Sequence, residues 1–147
     1  MQVLVVEDDA ILADCLSEAL LDNGHVVCGV ASTVADAVGL ARQHRPDVAI
    51  VDMHLRDRGR GSDIADQLTE SGDLGLTGIL YVSGEAERVI REARIGHACL
   101  LKPYTLSTLD TALAIVCEIA REGGTSRALP RGLRLMRPTE MIPQPAA

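Results

Sequence analysis

The stretch VLVVEDDAILADCLSEALLDNGHVVCGV, residues 3–30, decides the fold. It opens on a continuous apolar run, Val3-Leu4-Val5-Val6, which ends in three acids, Glu7-Asp8-Asp9. Residues 10–23 then place Ile11, Leu12, Cys15, Leu16, Ala19 and Leu20 at helical spacing along one face. Asn23-Gly24 is a helix-stop signal, and a second apolar run, Val26-Val27-Cys28-Gly29-Val30, follows it. A strand covered on both faces reads as an unbroken apolar run, not as an alternation. The stretch is therefore a strand, a helix and a second, parallel strand.

The same grammar continues outward. Further apolar runs stand at Val48-Ala49-Ile50-Val51, Ile79-Leu80-Tyr81-Val82 and Ala98-Cys99-Leu100-Leu101. Helical patterns fill the gaps. One occupies 33–44, with Thr33 as N-cap, Asp36 three residues on, and a stop before Pro46. The others lie around 62–71, 86–94 and 106–121. Five strands alternating with five helices imply right-handed crossovers and a doubly wound α/β sheet. For five strands the expected order is the flavodoxin-like 2-1-3-4-5, with ligands at the carboxyl ends of the strands.

Composition narrows the function. The chain has 147 residues, 47% of them hydrophobic, enough for one domain with a sizeable core. Its net charge of −7 argues against a dedicated nucleic-acid binder, because phosphate repulsion would oppose association. No apolar run approaches the length of a membrane span, and no signal-peptide pattern opens the chain, so a cytoplasmic location is expected. Four scattered cysteines (Cys15, Cys28, Cys99, Cys117) read as small buried hydrophobes in a reducing compartment. There is no Trp and no Phe, and Tyr81 and Tyr104 are the two tyrosines. Lys102 is the single lysine among 14 basic residues.

The charge changes sign along the chain. From residue 121 onward Arg121, Arg127, Arg131, Arg134 and Arg137 face only Glu122 and Glu140, and four of the six prolines gather there. A compact acidic domain over 1–121 and a basic, Pro-rich tail over 122–147 are expected. The tail reads as a solvated extension. Alternatively, Leu133, Leu135, Met136, Met141 and Ile142 bind a groove or a sheet edge on the chain itself or on a partner.

In the expected strand order, Glu7-Asp8-Asp9, Asp52, Ser83-Gly84 and Lys102-Pro103 all reach one edge of the sheet. Neighbouring strands are ~4.8 Å apart, so Asp8 and Asp52 become close neighbours. Carboxylates so placed repel unless a cation intervenes. Lys102 is one candidate. A divalent ion with oxygen ligands and open positions, Mg²⁺ by preference, is the other. A carboxylate beside Mg²⁺ and Lys can attack a phosphoryl group. Asp9 reads as the N-cap of the first helix.

The motifs VLVVEDD at 3–9, DVAIVDMHL at 47–55, YVSG at 81–84 and LLKPY at 100–104 resemble those of response-regulator receiver domains of two-component signalling. The likeness extends over about residues 1–120. It implies that Asp52 is the phosphoacceptor, that Asp8 and Asp52 bind Mg²⁺ directly, and that Glu7 does so through water. The backbone carbonyl of His54 would supply a further ligand. Ser83 would hydrogen-bond the bound phosphoryl group, Lys102 would pair with Asp52 and then with a phosphoryl oxygen, and Lys102-Pro103 would be a cis peptide. The chain offers no transmitter segment, no nucleotide-binding glycine motif and no output domain, so a stand-alone receiver is expected, and the resemblance implies no enzyme beyond Mg²⁺-dependent self-phosphorylation and slow autodephosphorylation. A histidine kinase or phosphotransfer protein would be the donor. A downstream protein would bind around residues 85–120, where a homodimer is also conceivable, with no nucleic-acid or membrane partner.

Two positions depart from the family pattern. Cys99 stands where an aromatic switch residue is usual, and Arg56 stands where a proline is usual. These departures keep open a receiver-like interaction module that works without phosphorylation. A phosphatase using Asp52 as a transient nucleophile would expect an acid two residues on, where His54 stands.

Overall fold

The structure, a computed structural model, describes residues 1–55 and 59–136. Arg56, Met141 and Ile142 lie outside the described residues. The elements run β1 (Gln2–Val6), α1 (Ala10–Asp22), β2 (Val26–Ala31), α2 (Val34–His44), β3 (Val48–Asp52), α3 (Gly61–Glu70), β4 (Gly78–Ser83), α4 (Ala86–Glu92), β5 (Ala98–Leu101), α5 (Leu106–Glu122) and β6 (Leu133–Leu135). The sheet order is β2-β1-β3-β4-β5-β6. The first five strands are parallel in the expected doubly wound order. The sixth strand was not among the expected five. It comes from the basic tail and pairs antiparallel with β5, so residues 133–135 belong to the sheet and not to a solvated extension.

Local signals explain the helix boundaries. The Asp9 carboxylate accepts hydrogen bonds from the Ile11 and Leu12 amides, and the Thr33 hydroxyl accepts one from Asp36. Thr105 does the same for Thr108 at the start of α5. Each such cap is worth about 1 kcal/mol. α2 stops at Arg45, which takes a left-handed conformation (φ 45°) immediately before Pro46.

The core forms two layers, one on each face of the sheet. Leu4, Val6, Val51, Ile64, Leu68, Tyr81, Val89 and Cys99 fill the α2–α3–α4 side. Val3, Val5, Ile50, Leu80, Leu100, Leu109, Leu113 and Val116 fill the α1–α5 side. The inner strands β1, β3 and β4 are buried on both faces, which is why their sequences are continuous apolar runs, whereas the edge strand β2 leaves Val26 and Val30 exposed.

α1 departs from the expected packing. Of its apolar stripe, Leu20 is buried, but Ile11 (74% exposed), Leu12 (52%) and Cys15 face outward. Only part of the stripe packs closely, and Leu12 and Cys15 border an open cleft. Cys15 is thus not the buried hydrophobe its type suggests. Among the described residues, no helix is long and apolar enough to cross a membrane.

Candidate functional site

The carboxyl ends of β1, β3 and β5 converge. Ligand oxygens of Glu7, Asp8 and Asp52 all lie within 4.8 Å of one another. The Lys102 ammonium stands 3.6 Å from Asp52 Oδ2. The geometry follows from register: Val6 pairs with Val51 across β1 and β3, so the acids that follow these residues emerge side by side.

The three carboxylates are not equivalent. Glu7 is buried (8% exposed), and among the described residues its Oε2 has no hydrogen-bond partner. Burial, a hydrogen bond with Asp52 and the negative charge of Asp52 push its carboxyl up to about 8; Lys102 works in the opposite direction. At neutral pH Glu7 therefore keeps its proton, which relieves one of the repulsions in the cluster. Asp52 accepts a hydrogen bond from the His54 amide (3.0 Å), which turns the chain sharply after β3.

Packing behind Asp52 explains the position of α3. A Cβ on Gly61 would collide with the Asp52 carbonyl oxygen and stand 2.6 Å from Val51 Cγ1. Gly61 thus lets α3 begin directly against the strand end, with its amide donating to the Met53 carbonyl at 3.0 Å. In the sequence Gly61 is only one of two glycines, with Gly59, set among the arginines that follow β3. The close approach that requires glycine at 61 shows only in three dimensions.

Ser83 ends β4. Its hydroxyl accepts a hydrogen bond from the Glu85 amide (3.0 Å), and its carbonyl accepts one from the Lys102 amide (2.8 Å). Lys102 and Ser83 are thereby linked through the backbone, and the Lys102-Pro103 peptide is cis. The His54 side chain is exposed, and its backbone amide is the group that engages the cluster.

Beside the acids opens a cleft of about 620 Å³ between α1 and α5, lined by Leu12, Cys15, Leu16, Tyr104, Leu106 and Leu109 together with Glu7, Asp52 and Lys102. This apolar wall was missed from sequence, although the surplus of apolar residues at 11–16 was its signal.

A further difference concerns Cys99. It is fully buried and pairs in register with Tyr81 on β4, so the two side chains share one face of the sheet. The Tyr81 hydroxyl donates to the Ile95 carbonyl at 2.7 Å, and burial raises both the Tyr81 phenol and, to about 11, the Cys99 thiol. The aromatic ring stands one strand over from the position where the family resemblance places one. The Cys99 thiol stays protonated at neutral pH, in keeping with a packing role.

Comparison with protein-family models matches residues 3–114 to the response regulator receiver domain. The chain belongs to that family. Its relatives include the transcriptional regulatory protein PdtaR of Mycobacterium tuberculosis, 30% identical over 124 residues, which cover 82% of this chain and 58% of PdtaR. The phyllosphere-induced regulator PhyR of Methylorubrum extorquens is 28% identical over 77% of this chain and 42% of its own. The chain thus spans about half the length of these curated relatives. Among solved structures, the signal receiver domain of a modulated diguanylate cyclase from Desulfovibrio desulfuricans G20 superposes with a TM-score of 0.68 at 30% identity, covering 82% of this chain and 95% of that domain. The receiver fold is shown by sequence and by structure.

The donor set of the receiver's cluster fits a hard cation. All candidate ligands are oxygens, and the buried Glu7 Oε2 lacks a partner that a hydrated ion would supply.

Proposed function

We propose that this receiver takes a phosphoryl group onto Asp52 from a phosphohistidine of a histidine kinase or phosphotransfer protein, and signals through protein contacts. The observation that carries this reading is the convergence of Glu7, Asp8 and Asp52 within 4.8 Å, with Lys102 at 3.6 Å from Asp52. An Asp52 carboxylate oxygen forms the new O–P bond as the N–P bond of the donor breaks, and the imidazole leaves with the electron pair.

Asp8 and Asp52 would hold Mg²⁺ directly, Glu7 through water, and the His54 carbonyl would complete the protein ligands. The ion would supply charge neutralisation for the transferring group. Lys102 would move its ammonium from the carboxylate to a phosphoryl oxygen. The Ser83 hydroxyl, which now accepts from the Glu85 amide, would donate to another phosphoryl oxygen. Because Ser83 and Lys102 share a backbone hydrogen bond, movement of one draws on the other. The apolar α1–α5 cleft beside Asp52 supports docking of a donor protein against the site.

Downstream binding is proposed for residues 85–120, the face that the family resemblance implies. The test is intact mass after incubation with a small phosphodonor and Mg²⁺. Wild type should gain one phosphoryl group and Asp52→Asn none. A wild type that gains nothing yet binds its partner would replace this reading with a phosphorylation-independent interaction module.

A further inference from the structure

β6 is attached to the sheet by little. Leu133 lies opposite Leu100, Arg134 opposite Cys99 and Leu135 opposite Ala98. Two flanking hydrogen bonds complete the ladder: the Leu101 amide to the Gly132 carbonyl (2.9 Å) and the Met136 amide to the His97 carbonyl (3.0 Å). Side chains alternate between the two faces. Leu133 (5% exposed) sinks into the α5-side core, and Met136 (8%) into the α4-side core. Arg134 pairs with Glu87 of α4 at 3.3 Å, and both side chains are solvent-exposed. Gly96 makes room for Met136: a Cβ there would collide with the Tyr81 ring and stand 2.8 Å from the Met136 sulfur.

Against these two buried anchors stands the ordering of the whole return segment, residues 123–136. Its intervening residues Ser126, Arg127, Ala128 and Leu129 are all exposed. An element with so few buried contacts opens locally without global unfolding. Opening uncovers the β5 edge and two apolar seats, an arrangement that takes up another strand.

We propose that the β5 edge is a strand-docking site through which two copies of this chain exchange residues 133–136. The occupant is argued from the seats themselves. The segment that fits them is apolar at 133, basic at 134 against Glu87, and apolar at 136 against Tyr81 and Gly96. A second copy brings that segment with identical register. Exchange is reciprocal, so it closes into a two-fold dimer with no new contacts required. The proposal does not depend on phosphorylation of Asp52. It differs from a face-to-face homodimer at residues 85–120, because each copy supplies a strand to the other.

The tether decides between closure on itself and exchange. α5 has 17 residues, so its far end lies ~25 Å from the end where it starts, beside the C-terminal end of β5. Residues 123–132 must return over that distance, and fully extended they reach about 33 Å. The ion pair of Arg127 with Glu118 (2.8 Å), one turn back up α5, shows the segment retracing the helix. Without Ser126–Leu129 the remaining six residues reach only about 20 Å. A tether that cannot span its own site makes the effective concentration of the cis strand vanish, while the trans strand is unaffected.

The test is deletion of 126–129 in the full chain, read by light scattering after size exclusion together with amide hydrogen exchange. The shortened chain should be dimeric at concentrations where wild type is mainly monomeric, a shift in dimer-to-monomer ratio of at least about tenfold. Amides of Leu101 and Met136 should stay protected in that dimer. Adding Leu133→Asp and Met136→Asp should return it to monomer. A wild-type linker lengthened by four Gly/Ser residues after Thr125 should lower the dimer fraction at high concentration. A shortened chain that stays monomeric, whether with a protected Leu101 amide or with an edge left open to a foreign strand, overturns the proposal. So does a dimer that survives the two Asp substitutions.

Discussion

The strand-end mouth and the β5–β6 edge share one strand and are built on opposite terms. The mouth crowds three carboxylates within 4.8 Å and buries one of them with an oxygen unpartnered. The protein gives up stability there. The edge carries no such conflict, since its backbone groups and both its apolar seats are satisfied by the chain's own β6. It is weak because it is small. A site can therefore be kept available in two ways: by strain that a ligand relieves, or by an occupant held loosely enough to leave.

The sharpest way to break the mouth is Gly61→Val. The new side chain would drive α3 off the Asp52 carbonyl and Val51, and a loss of about 3 kcal/mol is expected by urea denaturation, with phosphoryl uptake falling alongside.

Glu7 offers the next largest effect, and its sign is opposite to that of ordinary acids. Its folded-state pKa of about 8 lies above the unfolded value of 4.5, so its contribution to stability is fully present below pH 4.5 and is lost as pH rises through 8. Metal-free protein should lose stability across that window, and Glu7→Gln should flatten the loss. Mg²⁺, which selects the ionised carboxylate, should bind more tightly as pH rises across the same range. A wild-type urea midpoint that is unchanged between pH 5 and pH 8.5 would refute this account.

At the edge, Leu133→Ala should raise exchange at the Leu101 and Met136 amides at least tenfold, while shifting the global urea midpoint by no more than about 1 kcal/mol. Leu113→Ala, in the α5-side core, should instead cost roughly 2–5 kcal/mol globally. Equal global losses would erase the distinction between edge and core.

The smallest effect is expected at His97, whose Nδ1 accepts the Ile79 amide at 2.9 Å and whose ring burial lowers its pKa below 6.5. Its contribution is present above pH 6.5 and fades as pH falls through the lowered value. A mild acid loss of stability should therefore disappear in His97→Gln.

The sequence made the fold legible because strand and helix periods alternate without interruption from Val3 to Glu122, and the burial of β1, β3 and β4 matches their apolar runs. It made the cluster legible because Glu7, Asp8, Asp52 and Lys102 are rare types at strand ends. β6 was harder to read. Three residues are too few to show a period, and Leu133-Arg134-Leu135 in a Pro-rich tail is compatible with many structures. The outward face of α1 was hidden for another reason. Periodicity gives the direction of Ile11, Leu12 and Cys15 but not how closely the neighbouring elements pack against them. Gly61 and Gly96 likewise carry no local signal, since what demands them is a neighbour distant in sequence.

The near absence of aromatic residues has an experimental consequence. Without Trp, the ultraviolet signal of this protein belongs to Tyr81 and Tyr104. Tyr81 lies beside Met136 at the β6 seat, and Tyr104 lines the cleft next to Asp52 and Lys102. Each of the two regions thus holds its own chromophore. Substituting either one with Leu leaves a single-channel optical reporter, so strand release and events at the acid site can be followed separately in real time with no attached dye.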